Sequence, residues 1–230
     1  MSRFDLEGVV FDVDGVLFDT ERLSQEIWNA VSTELGWPQV GRAYLEFVGQ
    51  NRADILQKML DLFGPDFLLT CSARSQERME REGVPLKPGV REILEFLTAR
   101  RVPAALATST NRERTQRRME MTGLRPCFSA VVTGDQVAHS KPDPEIYQLA
   151  CRALGTTPSR TLAIEDSRNG ILSAHAAGMP VVMVPDLIPP TPELERLLFR
   201  RCASLLEVRE LLDRLLTVKT TRETRGLNKP

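Results

Sequence analysis

The chain has little of what usually announces a function. Only 2 histidines and 4 cysteines occur in its 230 residues. His139 and His175 stand far apart, and Cys71, Cys127, Cys151 and Cys202 are scattered without a CxxC pair. Zinc-ligand spacing and a disulfide framework are therefore both missing, and the cysteines read as reduced packing residues. An excess of one charge is missing too. Thirty Lys and Arg face 31 Asp and Glu, for a formal net charge of −1. Such a balance supplies no broad field to draw nucleic acid or an anionic membrane. No apolar run approaches the roughly 20 residues that span a bilayer. The stretch Met1-Ser2-Arg3-Phe4-Asp5-Leu6-Glu7-Gly8 does not resemble a signal peptide. The expectation is a cytoplasmic protein, a monomer or weak homodimer, with a small molecule as partner. No internal repeat or low-complexity segment is present.

What the chain does have is alternation. Short apolar runs recur at Val9-Val10-Phe11, Pro103 to Ala107, Ala130 to Val132, Leu162 to Ile164 and Val181 to Val184. Each ends at polar residues, as buried strands with function at their carboxyl ends do. Helical patterns lie between them. Val90, Ile93, Leu94 and Leu97 form one helix face. Asp143-Pro144 and Thr191-Pro192 read as helix starts, Gly155 as a helix end, and Ser204 with Glu207 as a capping box. This pattern predicts an α/β fold: a doubly wound, mostly parallel sheet with a Rossmann-like core.

One segment breaks the pattern. From about Thr20 to Val84 the periodicity is helical, with stripes at Ile27, Val31, Leu35 and at Ile55, Leu56, Met59, Leu60, Phe63. Gly64-Pro65 marks a turn, and Val84 to Gly89 a return linker. The division expected is a core domain at 1–18 and 86–216, an inserted α-helical cap at 19–85, and a flexible tail at 217–230.

In an open parallel sheet, ligands bind outside the carboxyl ends of the strands. That rule gathers Asp12 and Asp14, Thr108 and Ser109, Glu165 and Asp166, with Lys141 in the loop after the third strand. Four carboxylates repel one another unless a cation joins them, and Mg²⁺ suits a set of hard oxygen ligands. Lys141 and the hydroxyls would then serve a phosphate group.

At these residues the chain resembles a known family. Asp12-Val13-Asp14-Gly15-Val16-Leu17-Phe18-Asp19-Thr20 looks like the first motif of the haloacid dehalogenase-like superfamily, in its phosphatase and phosphomutase branch. Leu106-Ala107-Thr108-Ser109, Ser140-Lys141-Pro142-Asp143-Pro144 and Ile164-Glu165-Asp166-Ser167 resemble the second, third and fourth, in the expected order. The helical insertion falls where the family has its cap. The resemblance implies that Asp12 attacks phosphorus and that Asp14 is the general acid and base. It places the metal on Asp12, the Asp14 carbonyl, Glu165 and Asp166. Thr108, the Ser109 backbone and Lys141 would hold the phosphate. Val48-Gly49-Gln50-Asn51-Arg52 resembles a substrate loop of β-phosphoglucomutase-like members, which offers Arg52 as a contact to substrate.

The same residues admit plainer roles. Asp12 and Asp14 can cap a turn beside Gly15, and Glu165 and Asp166 can favour a helix N-terminus. Arg112, Arg114, Arg117 and Arg118 read as a solvated helix face, and Trp28 and Trp37 as cap core or interface. Asp19 either orients the hinge into the cap or is solvated. The function expected is hydrolysis of a small phosphorylated metabolite, a sugar phosphate or a phosphoglycolate-like compound. A sugar phosphomutase is the alternative, but Ser24 stands where that pattern has a cap histidine. A dehalogenase needs neither a metal nor Asp14, and a non-catalytic binding protein needs none of the catalytic groups.

Overall fold

The computed structural model describes residues 5–37, 44 and 52–226, the side chains of 52–59 and 218–226 excepted. Its elements begin with β1 (Gly8–Phe11), α1 (Thr20–Glu34), α2 (Arg52–Glu82), α3 (Val90–Ala99), β2 (Ala104–Thr108) and α4 (Arg112–Thr122). They continue with β3 (Ala130–Thr133), α5 (Glu145–Leu154), β4 (Thr161–Glu165) and α6 (Arg168–Ala176). The last are β5 (Val181–Met183), α7 (Pro192–Glu195), β6 (Arg200–Arg201) and α8 (Leu205–Gly226).

Among the described residues one six-stranded sheet forms, in the order β3-β2-β1-β4-β5-β6, with every pair parallel. β1 is buried along its whole length, as a strand covered by helices on both faces must be. Its side chains alternate between two cores. Val9 and Phe11 join Ile93, Leu94 and Leu97 of α3 and Val208 and Leu212 of α8. Val10 joins Ile146 and Tyr147 of α5 and Ile171 of α6. After β1 the chain winds outward through β2 and β3, then returns to β4 on the other side of β1. The direction of winding therefore reverses between β1 and β4, and a crevice opens there at the carboxyl ends.

The insertion leaves after β1 and returns beside its own exit. Phe18 and Leu86 form an antiparallel bridge. Asp19 N–H donates to Pro85 O at 2.9 Å, and Lys87 N–H to Leu17 O at 2.9 Å. Inside the cap, Trp28 packs edge-on against Phe67, Phe63 and Tyr44, with ring centroids 4.8, 5.4 and 5.5 Å away. Trp28 is cap core as expected, whereas Trp37 is largely exposed. Gly64, at φ 74, kinks α2 before Pro65, where the turn was expected. No helix among the described residues is long and apolar enough to cross a membrane.

Two features add to the sequence reading. α8 runs on to Gly226, so residues 217–226 of the expected tail have helical backbone. No glycine or proline interrupts 205–225, so the backbone continues as helix without an apolar stripe to require it. β6 was not expected at all. It is two exposed arginines held by pairing with β5, and so short a polar edge strand carries no hydrophobic signal.

Candidate active site

The site lies in the crevice between β1 and β4. Asp12 N–H donates to Ile164 O at 2.9 Å, which carries the β1–β4 ladder one residue beyond Phe11 and sets Asp12 beside Glu165. The chain then turns sharply at Gly15, whose φ of 84° suits glycine. A Cβ there would overlap the Asp166 carboxylate, so glycine also admits that carboxylate to the crevice. The fourth motif makes the same demand on α6. A Cβ on Gly170 would overlap the carboxylate of Glu165.

Lys141 ties the strand ends together. Its Nζ donates to Asp12 Oδ1 and Glu165 Oε1, each at 2.6 Å, and to Ala107 O at 2.9 Å. Glu165 is fully buried, and its other partners come from the protein as well. Tyr147 donates its hydroxyl proton to Oε1 at 2.7 Å, while the N–H groups of Asp166 and Ser167 and the Ser167 hydroxyl serve Oε2. Burial alone would raise the proton affinity of Glu165, but the Lys141 ammonium and these donors outweigh it and hold the group ionised. Burial would likewise favour neutral Lys141, and the Asp12 and Glu165 carboxylates reverse that.

Asp12 and Asp166 respond the other way. Burial, with the charge of Glu165 nearby, pushes Asp12 up to about 8 although Lys141 opposes it. Burial and the charges of Glu165 and Asp12 also push Asp166 well above the usual carboxylate range. Oxygens of Asp12, Glu165 and Asp166 lie within 4.8 Å of one another. Three crowded carboxylates sharing one ammonium are short of positive charge. Hard oxygen donors in that arrangement fit a divalent cation, which would let Asp12 and Asp166 ionise at neutral pH.

Asp14 points elsewhere, toward the cap. Its Oδ1 accepts from the Thr20 hydroxyl at 2.7 Å and from Arg118 Nη1 at 2.5 Å, and its Oδ2 from the Thr110 hydroxyl at 2.7 Å. Burial acts to raise its proton affinity, but Arg118 and the two hydroxyls hold the carboxyl below its usual range. Thr108 is buried at the end of β2, where its hydroxyl accepts from Thr110 N–H at 3.1 Å, and Ser109 beside it is exposed. Asp19 pairs with Arg22, three residues on, and with Lys87 of the returning linker, both at 3.3 Å. This favours its hinge reading over simple solvation.

The expected solvated face of α4 needs correction at Arg118. Thr115 and Met119 are buried, and a residue three positions after Thr115 shares that inward face. Thr110, Arg118 and Tyr147 are site residues that sequence reasoning missed. The helix phase could have exposed Arg118. Nothing local marks Thr110 or Tyr147. Arg52 opens α2, but its side chain lies outside the described residues, as does the 48–51 segment before it.

The family model of the haloacid dehalogenase-like hydrolases matches residues 9–184. The chain belongs to that family. It is 33% identical over 180 residues to a phosphorylated carbohydrates phosphatase of Thermotoga maritima, covering 76% of this chain and 82% of that protein. Among solved structures, a family hydrolase from Deinococcus radiodurans with bound phosphate and sodium superimposes with a TM-score of 0.77. It is 28% identical and covers 92% of this chain and 97% of its own. CbbY from Rhodobacter sphaeroides in complex with phosphate gives 0.73 at 28% identity, covering 88% and 96%. This haloacid dehalogenase-like hydrolase is a phosphoric monoester hydrolase of the phosphatase branch.

Proposed function

We propose that this hydrolase cleaves a small phosphorylated metabolite, a sugar phosphate or a phosphoglycolate-like compound, through an aspartyl-phosphate on Asp12, with Mg²⁺ as cofactor. The observation that carries the reading is Lys141 bridging Asp12 and Glu165 at 2.6 Å each, in the crevice where strand-end loops converge. Asp12 attacks phosphorus and the ester oxygen departs. Water then splits the acyl phosphate, and one difficult displacement becomes two easier ones. Asp14 gives a proton to the leaving oxygen and later takes one from the attacking water; Arg118 and the two hydroxyls favour its ionised form, and the negative charge of an arriving phosphate opposes them and favours the protonated acid. Lys141, Thr108 and the Ser109 backbone hold the phosphoryl oxygens, because positioning and electrostatics dominate phosphoryl transfer. Mg²⁺ on Asp12, the Asp14 carbonyl and Asp166, with Glu165 behind them, would neutralise charge between the carboxylates and the phosphate. Arg52, at the start of α2, is the residue that the resemblance offers as the cap's contact to substrate. The relative's phosphorylated-carbohydrate activity supports the substrate class.

Hydrolysis is favoured over mutase chemistry by Ser24. It lines the cleft between cap and core. Its hydroxyl has no proton affinity near neutral pH with which to replace an imidazole. The test is a hydrolysis screen over phosphorylated sugars, phosphoglycolate and nucleoside monophosphates, run with Mg²⁺ and again after exhaustive chelation. Phosphate release that stops on chelation and returns with Mg²⁺ is expected. With β-glucose 1-phosphate and a bisphosphate primer, glucose 6-phosphate forming faster than free phosphate would give the mutase reading its place.

A further inference from the structure

Between α4 of the core and the cap helices α1 and α2 lies a cavity of about 470 Å³. Arg118 lines it, and so do Ser24, Trp28 and Tyr44 on the cap side. Arg118 is also the residue that touches Asp14, and it does so through Nη1. Its Nε is buried with no hydrogen-bond partner among the described residues. A guanidinium presents its N–H groups as a rigid planar fork, so one edge can hold a carboxylate while another takes a second oxygen. A buried donor left unpaired carries a desolvation penalty that an incoming acceptor removes.

The charges around the cavity say which acceptor. Arg114, Arg117 and Arg118 line the cavity together with Glu80 and Glu113; Arg117 pairs with Glu80, and Arg118 with Asp14. Glu21 sits behind Tyr44, whose hydroxyl donates to Glu21 Oε2 at 2.8 Å, and it feels the charges of both Asp14 and Arg118. An anionic substituent placed at Arg118 would face two carboxylates. A hydroxyl accepts from the guanidinium and gives its own proton to a carboxylate, so it satisfies both kinds of neighbour.

We propose that Arg118 is a positioning and specificity residue that anchors Asp14 and binds a hydroxyl of the leaving group on the carbon next to the ester carbon. The inference rests on the phosphatase reading, with Asp14 as the acid and base. It narrows the substrate class to neutral polyol and sugar phosphates with an oxygen at that position. It also connects recognition to chemistry, since the guanidinium that binds the hydroxyl sets where the Asp14 carboxyl stands.

The test uses glycerol 1-phosphate and 3-hydroxypropyl phosphate, which differ in that hydroxyl, with p-nitrophenyl phosphate as a third ester. The wild type should prefer glycerol 1-phosphate by roughly 10- to 150-fold in kcat/KM, the range of one charge-assisted hydrogen bond. Arg118→Met should bring the ratio to about 1 and lower kcat on all three esters, because Asp14 loses an anchor. Arg118→Lys keeps a cation beside Asp14. It should regain part of kcat on p-nitrophenyl phosphate while the preference stays lost, since a lysine is a point charge without the second edge. A wild type that hydrolyses the esters without preference overturns the inference and leaves the phosphatase reading standing. Equal losses on all three esters in Arg118→Met, fully recovered in Arg118→Lys, overturn it as well. A wild type that releases phosphate from none of them but does so from phosphoglycolate or a nucleoside monophosphate overturns this inference alone, and one that releases none from any phosphate ester overturns the phosphatase reading with it.

Discussion

Replacing Lys141 with methionine removes the only cation that touches both Asp12 and Glu165 among the described residues. Methionine fills much of the same volume, so the change isolates the charge. Glu165 would keep its donors from Tyr147, Asp166 and Ser167 but stay fully buried without a countercharge. Breaking a buried ion pair from one side costs about 3–5 kcal/mol. For a domain of this size that is a fall of about 6–20 °C in Tm. The cost depends on pH. In the wild type, Glu165 is held below its ordinary value, so its contribution is present above the unfolded carboxylate range near 4.3 and lost as pH falls. Without Lys141 the same group is raised, and its contribution is present at low pH and lost as pH rises. Asp12, already pushed up to about 8, moves in the same sense. The gap between variant and wild type should therefore widen from pH 5 to pH 8. Urea denaturation in EDTA at pH 5, 6.5 and 8 reads this directly. A gap under about 1 kcal/mol at pH 8, or one that does not change with pH, would refute the argument that Lys141 compensates the buried carboxylates.

Asp12→Asn should fold normally yet release no phosphate from any ester, because an amide forms no acyl phosphate; wild-type turnover by a clean preparation contradicts this. Gly170→Ala should displace the Glu165 carboxylate and destabilise the protein by about 1–3 kcal/mol, read by denaturation, whereas an unchanged midpoint would show that α6 yields easily. Hydrogen exchange should change near 18–21 and 84–89 when the phosphate analogue vanadate binds, since those linkers must flex to open and close the cap. Unchanged exchange in both would remove the hinge.

The strand ends were legible because each carries its chemistry in adjacent residues. Asp12 and Asp14 follow an apolar run, as do Glu165 and Asp166, and the rule for parallel sheets does the rest. The cap was legible as helical periodicity where a strand was due. What escaped depends on contacts across the fold. Tyr147 carries no local sign of its role until its hydroxyl is seen on Glu165. Thr110 looks like loop filler until Asp14 turns toward it. Arg118 was masked by composition, as one arginine in a run of four, and only its phase relative to Thr115 and Met119 separates it.

The bridge between Phe18 and Leu86 has a consequence for how this hydrolase can be altered. The 67 residues numbered 19–85 leave and re-enter the core at a single point, so their two ends are already neighbours. Exchanging that block for another helical unit with similarly placed ends would leave the sheet, its register and Lys141 where they are. Closing such a loop costs an entropy that grows only slowly with its length. The joint between Phe18 and Leu86 is thus a natural splice site, at which the cap's share of the cleft can be exchanged while the bond-breaking apparatus and Arg118 stay in place.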